Sequence, residues 1–151
     1  MPDDDFPQIK VLQKLGRTYR ALLTAFDANI GQPMPRWRVL LMLHQQGETS
    51  QKKLAQALRM DPASLTRQIK TIERLGWVER HRDVRDNRLT NVVLSKAGVA
   101  VVEQTLPRRM AFIQRALTDL SLNDLATLST MLDRLDERLR DETCRALHRK
   151  T

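Results

Sequence analysis

The sequence predicts a mainly helical protein carrying one small β-hairpin. Two observations carry that expectation. Several stretches place apolar residues at steps of three and four, the spacing that brings them onto one side of an α-helix. Between Trp77 and Leu94, by contrast, β-forming residues flank a polar tip, the pattern of two strands joined by a turn. The hydrophobic share of the 151 residues is 41%, enough for a core, and aromatics are 4%, so that core is aliphatic and mostly leucine.

Residues 1–8, MPDDDFPQ, read as an acidic arm. A helix follows from Ile9 to Asn29, with Val11, Leu12, Leu15, Tyr19, Leu22, Leu23 and Phe26 on one broad side. The run Gly31-Gln-Pro-Met-Pro35 interrupts it. A second helix is expected from Arg36 to Gln46, and Trp37, Val39, Leu40, Leu41 and Leu43 make it apolar nearly all round, hence central and buried. Gly47 ends it.

Two short helices come next. Ser50 is a suitable N-cap for the first, which runs to about Leu58 with Leu54, Ala55 and Leu58 on its inner face. Asp61-Pro62 signals the second start, aspartate as cap and proline at the first helical position. Leu65, Ile69, Ile72 and Leu75 then form an apolar stripe, and the opposite face carries Ser64, Thr66, Arg67, Lys70, Thr71 and Arg74. Two helices so closely spaced are a helix-turn-helix. Small hydroxyls and Arg67 at the front suit base edges, and Lys70 and Arg74 suit phosphates. Taken alone, such a face is equally consistent with a solvated basic surface.

Gly76 stops that helix. Trp77–Arg80 starts a strand, Val92–Leu94 is its return partner, and residues 81–88 form the tip. Arginines on a projecting tip suit the narrow, electronegative minor groove, and Asp86 stands two residues before Arg88, where it could fix the guanidinium's direction. The alternative is a solvated loop.

Ser95 caps a long helix whose buried side is expected to be Val99, Val102, Leu106, Met110, Ile113 and Leu117, kinked or split at Pro107. Ser121 starts the last helix, with Asp124 placed to complete a capping box. Along it Leu125, Leu128, Leu132, Leu135 and Leu139 form a narrow seam with charged flanks, as in helices that pair between chains. The same row could instead cover the chain's own core.

The formal net charge is +8, and residues 50–95 hold ten Lys/Arg against five Asp/Glu, so the excess is concentrated on the helix-turn-helix and hairpin. That balance favours an anionic partner, nucleic acid before membrane. No apolar run is long enough for a membrane helix, the N-terminus lacks a secretion pattern and one cysteine gives no disulfide framework, so a cytoplasmic protein is expected. No phosphate loop, nucleophile elbow or metalloprotease helix occurs, so no enzyme and no cofactor is expected. Cys144 and His148 are spaced i, i+4, yet two ligands do not make a metal site.

The run SQKKLAQAL…DPASLTRQIKTIERLGWVERH…DNR…VVLSKAG resembles the winged helix-turn-helix of the MarR family of bacterial transcriptional regulators. The matching features are Leu54-Ala55, the DPASLTR helix start, LGWVER, Asp86-x-Arg88 and LSKAG. Arg59 stands where a small residue or glycine is usual, and Asn87 where many members carry arginine. The resemblance implies a winged helix-turn-helix at 35–95, flanked by dimerisation helices in 1–30 and 96–151. It implies a homodimeric regulator, a repressor, binding a pseudo-palindromic operator in double-stranded DNA. The residues expected at the DNA are Ser50, Gln51, Ala63, Ser64, Thr66, Arg67, Lys70, Arg74, Arg82, Arg85, Asp86 and Arg88. Those expected in the dimer interface are Ile9, Leu12, Leu125, Leu128, Leu132, Leu135 and Leu139. The resemblance further implies a cleft for a small aromatic carboxylate, with Arg17, Tyr19, Arg36, Trp37, Arg38, His44, Met110 and Ile113 on the segments lining it. A sequence-tolerant architectural DNA binder without an effector is the alternative.

Overall fold

The structure, a computed structural model, describes residues 6–149. In chain order the elements are α1 (Pro7–Ile30), α2 (Met34–Gln46), β1 (Thr49–Ser50), α3 (Gln51–Leu58), α4 (Pro62–Arg74), β2 (Val78–Arg82), β3 (Thr90–Leu94), α5 (Lys96–Ala116) and α6 (Leu122–His148). They form two compact units, the first running to Phe112 and the second from Ile113 onward. The mainly helical class with a small hairpin is what the sequence predicts.

In the first unit the apolar stripes converge on one core. Trp37, Val39, Leu40 and Leu43 of α2, Leu54 and Leu58 of α3, and Leu65, Ile69 and Ile72 of α4 are buried together with Val78, Val92 and Val102. Their stabilisation is on the order of 1.5–3 kcal/mol for each large side chain. Caps set the helix ends. Ser50 Oγ accepts from the Lys53 N–H at 3.2 Å, and an Asp61 carboxylate oxygen accepts from Ser64 N–H at 2.9 Å. Arg59 ends α3 in the left-handed region (φ 50°), a conformation that most residues avoid and glycine adopts freely.

The sheet has strand order β1-β3-β2, all antiparallel, with Thr49 opposite Val92 and Val78 opposite Leu94. β1 is a strand of two residues, too short for any alternation to announce it. The hairpin strands are also longer than expected, leaving a tip at 83–89. Asp83 N–H bonds the Leu89 carbonyl at 3.0 Å, and Leu89 N–H bonds the Asp86 carbonyl at 2.9 Å, so the turn closes farther out.

Other expectations need correction. α1 begins at Pro7 and α2 at Met34, because a proline in the first helical turn gives up only an N–H that has no partner anyway. The expected acidic arm falls mostly on residues 1–5, outside the described residues. Leu75, at the C-cap of α4, is 46% exposed: the helix ends one residue before it and the core does not reach it. α5 is not split, since Pro107 and Glu103, whose carbonyl loses its partner, both lie on the exposed side.

The buried face of α5 is Gly98, Val102, Thr105 and Phe112, rotated from the expected one, and Met110 and Leu117 are exposed. Gly98 explains the rotation. A Cβ there would lie 2.0 Å from the Trp77 carbonyl oxygen, so the helix meets the strand backbone through its smallest residue. Ser95 reinforces the junction: its N–H donates to Trp77 O at 3.0 Å and its hydroxyl to Gly76 O at 2.6 Å. Thr105 is tolerated in the interior because its hydroxyl donates to the Val101 carbonyl at 2.6 Å. Phe112 meets Phe26 edge-to-face, centroids 5.9 Å apart.

The second unit holds the last turn of α5 and all of α6. Ser121 and Asp124 form the expected capping box. Hydrogen bonds from the Ser121 hydroxyl and then its N–H hold the Asp124 carboxyl below the ordinary aspartate value. No residue of α6 is buried. No described helix is long and apolar enough to cross a membrane.

Candidate nucleic-acid interface

With Leu65, Ile69 and Ile72 turned into the core, the 100° step of a helix leaves Ala63, Arg67, Lys70 and Arg74 exposed on the far side of α4. Their neighbours organise that face. Arg67 donates to Ser64 Oγ at 3.0 Å, and Arg74 to Thr71 Oγ1 at 3.4 Å. Thr66 sends its hydroxyl to the Pro62 carbonyl at 2.9 Å and accepts from Gln51 Nε2 at 3.5 Å, which links the front of α4 to α3. Ser50 does not belong to this surface: it is 6% exposed and its hydroxyl caps α3.

The hairpin is tied to α4 at its base. Arg80 pairs with Glu73 across 2.7 Å. At the tip Arg82, Arg85 and Arg88 are exposed. Asp86 Oδ1 accepts from both the N–H and the Nε of Arg88, at 3.0 and 3.2 Å, while the Arg88 side chain stays 91% exposed. The carboxylate thus directs the guanidinium without covering it. Asp83 sits under the tip. Its Oδ1 accepts from the N–H groups of Arg85 (2.8 Å) and Asp86 (3.0 Å), and its Oδ2 accepts from Asn91 Nδ2 (2.9 Å). The Asp86 N–H bond, then the Asn91 amide, hold the Asp83 carboxyl below its ordinary range.

Sequence reasoning did not find Glu48, His81 and Asn91, which join the hairpin to the turn after α2. Glu48 Oε1 accepts from Asn91 Nδ2 at 3.0 Å and meets His81 Nε2 at 2.7 Å. The available signal was their position at equal depth on the two strands, since His81 and Asn91 are paired across the ladder. Val84, 96% exposed at the tip, was also passed over.

The residues expected around an effector have different environments. Trp37 is 2% exposed and belongs to the core, as the apolar surround of α2 dictates. Arg38 is committed to the Leu58 carbonyl at 2.6 Å, holding the end of α3. Arg36 donates to Gln32 Oε1 at 3.1 Å. Tyr19 and Met110 are more than half exposed, and His44 is half-buried. Arg17 lines a shallow groove with Lys10, Gln13, Lys14 and Arg20. Ile113 falls in the second unit. Two buried donors, Arg36 Nε and Trp37 Nε1, have no acceptor among the described residues.

The expected dimer residues are apolar and uncovered. Leu12, Leu128, Leu132 and Leu139 are 42–50% exposed, and Ile9, Leu125 and Leu135 are partly so. At the end of α6, His148 Nδ1 engages the Cys144 carbonyl at 2.7 Å.

Comparison with known proteins places this geometry. A model of the MarR family matches residues 33–90, from the start of α2 through the hairpin tip. The uncharacterised HTH-type transcriptional regulator YwoH of Bacillus subtilis is 32% identical over 94 residues, covering 62% of this chain and 68% of that protein. The HTH-type transcriptional repressor IacR of Pseudomonas putida is 25% identical over 130 residues, 86% of this chain and 77% of that one. Among solved structures, a mutant MarR of E. coli complexed with operator DNA superposes with a TM-score of 0.79, at 23% identity, covering 88% of this chain and 99% of that one.

Proposed function

The chain belongs to the MarR family of transcriptional regulators and is a DNA-binding regulator rather than an enzyme, and on that footing we propose that it acts as a homodimeric, cytoplasmic repressor of a pseudo-palindromic operator. Arg67 reads base edges in the major groove from the front of α4, with Ala63, Ser64 and Thr66 beside it, and Gln51 of α3 supporting them. Lys70 and Arg74 contact phosphates, which position the helix without carrying sequence information. Arg82, Arg85 and Arg88 hold the minor groove or its phosphates, and Asp86 directs Arg88.

One observation carries this reading: Arg67, Lys70 and Arg74 stand together on the exposed side of α4, opposite its buried stripe, and among the described residues no carboxylate takes up any of them in an ion pair. The apolar rows of α1 and α6 supply the second half. They lie bare in the single chain and suit burial against a second copy, which presents two recognition helices to successive major grooves. The repressor outcome is supported by the similarity to IacR, itself a repressor.

Release by a small carboxylate is the finer part of the proposal. It is supported by Arg36 on α2, whose buried Nε has no acceptor among the described residues, since such an N–H is costly to leave unpaired and a bound carboxylate would relieve it. The ligand acts by binding the state that does not fit DNA more tightly than the state that does.

Competition binding tests the regulator reading. A selected operator should outcompete random duplex by roughly a thousandfold or more. Equal competition would make the chain a sequence-tolerant architectural binder. For the effector, a panel of aromatic acids should raise the melting temperature and lower operator affinity together, and no response across the panel would remove that part.

A further inference from the structure

We propose that Asn91 sets the direction of the wing and thereby positions Arg88, a role that rests on the reading of the hairpin tip as a DNA contact. The tip spans residues 83–89 and has little apolar anchorage, with Val84 96% exposed. Its orientation therefore depends on polar contacts. A continuous path of them leads inward from the Arg88 guanidinium.

Arg88 Nε and N–H are held by Asp86 Oδ1 at 3.2 and 3.0 Å. The Asp86 and Arg85 N–H groups are held by Asp83 Oδ1 at 3.0 and 2.8 Å. Asp83 Oδ2 is held by Asn91 Nδ2 at 2.9 Å, and the same nitrogen reaches Glu48 Oε1 at 3.0 Å. Glu48 stands in the turn between α2 and β1, outside the hairpin. Asn91 is thus a point where the Asp83-held tip is fastened to a residue outside the hairpin.

The chemistry of that point is specific to an amide. A carboxamide nitrogen carries two N–H donors, and here each faces one carboxylate. The orientation of the amide follows, because its oxygen could satisfy neither neighbour. Asn91 bridges two like charges that would otherwise repel. His81 Nε2 meets the Glu48 oxygen from the paired strand, and Lys53 lines the same hollow, so the surrounding charge is mixed. Aspartate at this position would remove both donors and add a third carboxylate. Valine would keep the strand and remove both donors.

The test uses the full-length protein and a selected operator duplex, with affinity measured by fluorescence anisotropy across a salt series. Asn91→Val, Asn91→Asp, Arg88→Ala and the Asn91→Val/Arg88→Ala double variant are compared, with circular dichroism melts as the check on folding. The expected result is a loss of about five- to tenfold for Asn91→Val, from hydrogen bonds to charged groups, with a shallower salt slope. Asn91→Asp should lose at least as much. In the Arg88→Ala background the Asn91→Val change should cost clearly less than it does alone, because part of its effect runs through the Arg88 contact. A purely structural role would lower the melt without this coupling. Losses that multiply in the double variant would overturn the proposal. So would Arg88→Ala weakening binding while both Asn91 variants leave it unchanged. Arg88→Ala without effect would overturn the wing reading itself, and the proposal with it.

Discussion

Gly98→Ala is the substitution whose consequence the structure specifies most closely. A Cβ at this position would stand 2.0 Å from the Trp77 carbonyl oxygen, 2.9 Å from its carbon and 3.2 Å from Leu94 Cδ2. The first two are backbone atoms and cannot swing aside. The first turn of α5 must therefore move by more than about 1 Å, which pulls on the Ser95 bonds to Trp77 O and Gly76 O. Overpacking of this kind costs about 1–3 kcal/mol, and a weakened hydrogen bond adds about 1 kcal/mol. Alanine recovers about 1 kcal/mol through its better helix propensity. The net loss is about 1–3 kcal/mol, or a fall of roughly 3–10 °C in Tm for a chain of this size. Thermal unfolding followed by circular dichroism is the assay. An unchanged or raised Tm would refute the reasoning, because in an uncrowded helix alanine is the better residue.

Three other outcomes follow from the same contacts. Arg67→Ala should weaken operator binding by about 1–3 kcal/mol and relax the preference at one base pair per half-site, measured by titration against a set of single-base operator variants. Leu132→Asp should shift the chain to monomer in sedimentation velocity. Each leucine contributes about 1.5–3 kcal/mol of burial, and a two-fold interface contains it twice; an unaltered dimer would show that the α6 row is not the interface. Asp83 should titrate, by carboxyl NMR, below the ordinary aspartate value of 3.8, and a value at or above 3.8 would contradict its contacts. Because the folded value is lowered, its contribution to wing order is complete above 3.8 and is lost as pH falls through the folded value.

Local signals made most of the helix-turn-helix legible before the structure. The caps Ser50 and Asp61, the stripe through Leu65, Ile69 and Ile72, and the Asp86-Arg88 pair all lie within a few residues of one another, where side-chain chemistry dictates backbone form. What escaped depended on distant partners. On α5 apolar periodicity through Val99, Val102, Leu106, Met110, Ile113 and Leu117 finds Val102 but not Gly98 and Thr105, which carry no hydrophobic mark; only the approach of Trp77 O and the bond to Val101 O qualify them for the interior. β1 is held by β3, about forty residues away, and has no pattern of its own. Glu48 and Asn91 are likewise joined only by the fold. Trp37 and Arg38 suited a ligand cleft by residue type, yet packing claimed the indole and the Leu58 carbonyl claimed the guanidinium.

The central claim is that two copies of one exposed basic face are held in register with duplex DNA. Selection of bound sequences from a random duplex pool tests it most directly. The account predicts an inverted repeat whose half-site centres lie about 10–10.5 base pairs apart, or a multiple of that. Recovery of an asymmetric single site, or of no enriched sequence at all, would contradict it.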